Sequence, residues 1–141
     1  MTNEQAPGWF KPVSIVALIW NLIGVLAFVM TLMVTPEMIA ELPEAEQALF
    51  DVPAWATIAF AIAVFAGVIG CVLLLMRKAI AFEVLVLSII GVIVQNIHGF
   101  LLTDTLAVHG PSSLGMPVTV FIIGVGLIMM SNKGKKEGWL S

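Results

Sequence analysis

Residues 51–104 read DVPAWATIAFAIAVFAGVIGCVLLLMRKAIAFEVLVLSIIGVIVQNIHGFLLTD, and their reading decides the fold. Between Asp51 and Arg77 lie 25 uncharged residues, and between Lys78 and Asp104 lie another 25 in which Glu83 is the one charge. A helix rises about 1.5 Å per residue, so about 20 apolar residues cross the hydrocarbon core of a bilayer. Each run is long enough. The basic pair between them leaves space for a tight turn, so the stretch predicts two spanning helices in an antiparallel hairpin.

The same pattern extends outward. Another 25 uncharged residues separate Lys11 from Glu37, and a shorter apolar run begins near Met116 and ends before Lys133. The first run exceeds the 7–15 or so residues of a signal-peptide core and has no small-x-small cleavage pattern after it, so it reads as a retained span. The expected fold is all-α: an integral membrane four-helix bundle running up-down-up-down. It forms one transmembrane domain over residues 1–141, with spans at about 12–34, 54–76, 79–102 and 116–132. Composition agrees: 60% of the chain is hydrophobic and 11% charged, against roughly 25% charged in soluble domains.

Charge sets the expected orientation. Cytoplasmic loops are enriched in Lys and Arg. With four spans, Lys11, Arg77, Lys78, Lys133, Lys135 and Lys136 fall on one side; Glu37, Glu41, Glu44, Glu46, Asp51 and Asp104 fall on the other. Glu4 and Glu137 are the acids on the basic side. Three or five spans would scatter the lysines over both faces. Both termini are therefore expected in the cytoplasm, with Trp9, Trp55 and Trp139 as anchors at headgroup level.

The outer segment 36–52 reads as more than a linker. Thr35-Pro36-Glu37 is a helix start, with an N-cap hydroxyl, Pro at the first helical position and an acid in the first turn. Pro43 with Glu44 and Glu46 repeats the signal. One or two short amphipathic helices are expected there, while 103–116, with His109-Gly110-Pro111, is expected to be irregular. In the second span Ala59, Ala63, Gly67 and Cys71 recur every four residues, a stripe suited to close helix contact within the chain or with a second copy.

The third span carries the polar groups. At 100° per residue, Ser88, Gly91, Gln95 and His98 share an arc of about 80°, and Asn96 points elsewhere. Asn21 lies in the inner half of the first span, beside Trp20. Amides and imidazoles in lipid need partners, which places them in the bundle interior or a wet cavity. Asn21, Gln95, Asn96 and His98 are thus candidates for a polar binding pocket, with Asp104 and His109 at its mouth. The alternative reading is interhelical hydrogen bonding, worth about 0.6 kcal/mol per contact on average. Glu83, near the inner edge, is a candidate for an ion pair with nearby basic residues or for a proton-linked carboxylate.

Several classes are disfavoured. The single cysteine, Cys71, permits no intrachain disulfide and no Cys-x-x-Cys pair. His98 is the one histidine within a span, so haem held by two facing histidines is not expected. No phosphate loop, Ser–His–Asp set or HExxH occurs. The expectation is a chain without catalytic residues, metal or cofactor. With net charge −3 and a membrane address, it is not expected to bind nucleic acid.

Trp20-Asn21-Leu22-Ile23-Gly24, Thr35-Pro36-Glu37, Leu42-Pro43, Pro53-Ala54-Trp55-Ala56 and Gly67-Val68-Ile69-Gly70-Cys71 resemble a group of small bacterial inner-membrane proteins. Members of that group often carry the label "sugar transporter", and the resemblance runs over nearly the whole chain. It implies a multi-pass protein of the bacterial inner (plasma) membrane. Two functions stay open at this point. One is transport of a small neutral, sugar-like solute by a homo-oligomer. The other is a non-transporting accessory or scaffold role in a larger membrane complex.

Overall fold

A computed structural model describes residues 6–141; Glu4 lies outside the described residues. Four long helices are present: α1 (Phe10–Leu32), α4 (Ala54–Leu75), α5 (Ala81–Leu101) and α7 (Gly115–Glu137). Each is long and apolar enough to cross a membrane. Between them lie the short helices α2 (Pro36–Ala40), α3 (Glu44–Gln47) and α6 (Thr105–His109), and no strand occurs among the described residues. Prolines sit where helices can accept them. Pro12 and Pro117 are in the first turns of α1 and α7, and Pro53 immediately precedes α4.

The loop after α1 follows the sequence signals. Thr35 Oγ1 accepts a hydrogen bond from the Met38 N–H at 3.2 Å and caps α2, with Pro36 at the first position. Pro43 opens α3, which passes into a 3-10 turn at Ala48–Phe50. The loop between α5 and α7 is more regular than expected. The Thr103 hydroxyl meets that of Thr105, the first residue of α6, at 2.8 Å. Gly110, at φ 80°, ends it, and a 3-10 turn at Pro111–Leu114 leads into α7. Hydroxyls local to the loop satisfy its backbone, which a Gly-Pro signal alone does not reveal.

The long helices form a chain of contacts, α1 on α4, α4 on α5 and α5 on α7; α1 and α7 are not closely packed on each other. The α4–α5 seam is the tightest. A Cβ added to Gly91 would lie 2.7 Å from the Ala59 carbonyl oxygen and 2.8 Å from the Ala63 nitrogen, so backbone meets backbone there. Ser88 Oγ donates to the Ala63 carbonyl at 2.6 Å in the same seam. The stripe of Ala59, Ala63, Gly67 and Cys71 is buried among the chain's own helices. Against α1 the contact is aromatic, Phe28 lying edge-on to Phe60 and Phe65 at 5.2 and 5.8 Å between ring centres.

The start of α1, the α4–α5 turn and the end of α7 meet at one end of the molecule. Trp9, Phe10 and Trp139 form an edge-on aromatic cluster there. Helix α7 continues to Glu137, past the expected limit near residue 132, and Gly138 ends it at φ 83°. The N–H groups of Trp139 and Leu140 then donate back to the Gly134 carbonyl, at 2.9 and 3.2 Å. The returning chain docks on the turn between α4 and α5. Arg77, at φ 59°, donates from Nε to the Trp139 carbonyl at 3.0 Å. The Ser141 N–H donates to the Arg77 carbonyl at 2.9 Å, and the Ala79 N–H to the Ser141 carbonyl at 3.2 Å. Trp139 is consequently 7% exposed and belongs to the core, whereas Trp9 and Trp55 remain about half exposed.

Candidate functional site

A cavity of about 310 Å³ lies between all four long helices. That is within the roughly 300–1,000 Å³ of small-molecule sites. Most of its lining is apolar. The polar groups are Trp20 and Asn21 from α1 and Ser88, Gln95 and Asn96 from α5, and no charged side chain lines it.

Asn21 is held by its own helix and by α4. Its Nδ2 donates to the Ala17 carbonyl at 2.8 Å and to Cys71 Sγ at 3.4 Å. Its carbonyl oxygen lies over Gly67, where a Cβ would collide with it. Gly67 is thus a seat for the Asn21 carboxamide as well as a member of the small-residue stripe. Ser88 spends its proton on Ala63. Gln95 and Asn96 differ from both. They are half-buried and line the cavity, and their side chains hydrogen-bond to nothing among the described residues. Their side-chain polar atoms are not sealed in.

The four expected pocket residues are divided. Asn21, Gln95 and Asn96 share the cavity. His98 does not line it; the ring is buried edge-on against Trp55, 5.5 Å between ring centres and 86° between planes. Asn96, placed off the polar face by its angle, reaches the same space as Gln95. His109 ends α6 and Asp104 precedes it; neither borders the cavity. Helix α7 supplies a wall, including Pro117 and Gly124, that its sequence did not announce. Gly124 gives way to the side chain of Ile89.

Glu83 is apart from this site. Its carboxylate pairs with Lys135 at 3.1 Å, with side chains 59% and 34% exposed respectively. Lys135 also lies over the Phe82 ring, 4.8 Å from its centre. Exposed pairs of this kind contribute little. Glu83→Gln is expected to leave the thermal midpoint in detergent unchanged within error; a clear fall would mean the pair holds α5 to α7.

Chemically the cavity can hydrogen-bond and enclose. It presents no carboxylate, imidazole or thiol that could transfer a proton or attack a substrate. Among the described residues, no three of His, Cys, Asp and Glu lie close enough to hold a metal ion. Comparison of the chain with protein-family models, with curated proteins and with solved structures gives no match.

Proposed function

We propose that this is a four-span protein of a bacterial inner membrane, running up-down-up-down with both termini cytoplasmic. We further propose that it binds a small neutral solute in its central cavity and carries it across the bilayer as an assembly of copies. The meeting of the α1 start, the α4–α5 turn and the α7 end supports the alternating path, because helices that begin and end together must alternate. The placement of all six basic residues on one side supports the orientation.

One observation carries the functional reading: Gln95 and Asn96 offer two carboxamides without partners to a cavity large enough for a ligand. An unmet amide in hydrocarbon is costly, so such groups are retained where something meets them. The absence of charge from the lining favours an uncharged solute. Two free carboxamides amid apolar walls favour fewer polar groups than a sugar carries.

Uptake into proteoliposomes of sugars, polyols and less polar neutral solutes tests the proposal. Gln95→Leu and Asn96→Leu are each expected to lower saturable uptake about tenfold, the worth of one good hydrogen bond, with helicity and thermal midpoint preserved. Uptake that saturates for no member of the panel, from folded protein, would overturn it. An accessory subunit would present a small-residue stripe to its partner, but here Ala59, Ala63, Gly67 and Cys71 are covered by the chain itself.

A further inference from the structure

The cavity has a mouth, and its position bears on what enters. Among the lining residues, Ile23 and Met116 are 56% and 64% exposed, and Ala27 is exposed as well. They therefore belong both to the inner wall and to the outer surface. Ile23 and Ala27 are on α1 and Met116 on α7, the two long helices that do not pack closely on each other. Ile23 is the fourteenth of the 23 residues of α1 and Met116 the second of α7, so the opening runs from the middle of α1 to the start of α7. The neighbouring surface is apolar on both helices, with Leu26 and Met30 on α1 and Val118 and Ile122 on α7 all exposed. An apolar surface on a helix of spanning length suits acyl chains, and no charged side chain lines the cavity behind it.

Resting on the reading of the cavity as a solute site, we propose that the ligand enters sideways from the lipid, through the opening between α1 and α7. It is an uncharged, membrane-dissolved amphiphile with a hydroxyl or carbonyl head. The head meets Gln95 and Asn96, which can donate to a carbonyl or accept from a hydroxyl. The apolar tail lies along the opening and continues into the bilayer. A carboxylate or ammonium head is excluded, because the lining holds no opposite charge and an ion at that depth costs several kcal/mol.

The test uses the full chain in liposomes with a photoactivatable long-chain alcohol, cross-linked peptides being mapped by mass spectrometry. Labelling of residues 85–96 and 116–127 is expected to saturate and to be displaced by excess 1-dodecanol but not by the equivalent fatty acid at neutral pH. Ala27→Trp, which adds bulk at the rim on an exposed position, is expected to cut this labelling about tenfold, as is the Gln95→Leu/Asn96→Leu pair. Labelling spread evenly over the exposed faces of α1 and α7, or unaffected by Ala27→Trp, would overturn lateral entry. If a water-soluble polyol displaces the probe from the same peptides and dodecanol does not, the solute site stands and entry from lipid fails. If nothing displaces it and Gln95→Leu/Asn96→Leu has no effect, both fail.

Discussion

Gly91→Leu is expected to destabilise the protein by about 3 kcal/mol or more, the upper range for overpacking a close contact. The atoms in the way decide the size. A Cβ at position 91 would press on the Ala59 carbonyl oxygen and the Ala63 nitrogen, at 2.7 and 2.8 Å, and on the Ala63 Cα at 3.2 Å. None of these is the movable end of a side chain, so α4 and α5 must part. Their separation would also break the Ser88–Ala63 hydrogen bond. Titration with SDS, followed by circular dichroism, measures the effect. The transition should move to a markedly lower SDS fraction, while helix content before it stays near that of the parent. Gly126→Ala is the control: nothing lies within 4 Å of its added Cβ, so it should be neutral or gain up to about 1 kcal/mol of helix propensity. A Gly91→Leu protein as stable as the parent would show that the seam is not a backbone contact.

The second large effect concerns Asn21 and Gly67, and the expected result is a coupling rather than a single loss. Gly67→Ala gains up to about 1 kcal/mol in helix propensity. It also places a methyl group where the Asn21 carbonyl oxygen lies. The carboxamide must then leave Cys71 and swing into the cavity, losing its bonds to Ala17 and Cys71. We expect the conflict to win, with a net cost of about 1–2 kcal/mol. Asn21→Ala alone should cost less, near the ~0.6 kcal/mol typical of interhelical bonds in lipid. The double variant should be more stable than Gly67→Ala, with a coupling of about 1 kcal/mol or more in the same titration. Additive effects would mean that the two residues do not share this space.

These two seams show what the sequence can convey. The four long apolar helices follow from the spacing of charges, because the energetic penalty on charge in hydrocarbon acts on single residues and needs no knowledge of neighbours. The stripe of small residues was visible for the same local reason. Its partners were not. Nothing in the spacing joins position 21 to 67 and 71, which lie on another helix. The polar arc of α5 was a correct angle with an incomplete meaning. Helix α5 touches α4 on one side and α7 on another, so one arc straddles two environments. Ser88 and Gly91 went to the α4 seam, His98 to Trp55, and Gln95 to the cavity, where its neighbour Asn96 joins it. The extension of α7 and its reversal had a readable signal, Lys135-Lys136-Glu137-Gly138: basic residues followed by a C-terminal glycine. What the reversed segment would touch was beyond local rules.

That contact has a consequence for biosynthesis. The α4–α5 hairpin needs no later part of the chain, since Gly91, Ala59 and Ala63 are all present once α5 has left the ribosome. The groups that meet the Arg77 carbonyl and the Ala79 N–H belong to Ser141, and the aromatic lid over Phe10 belongs to Trp139. Until the last turn of the fourth long helix is in place, the start of α1 and the α4–α5 turn lack the Trp139 ring and the Ser141 backbone.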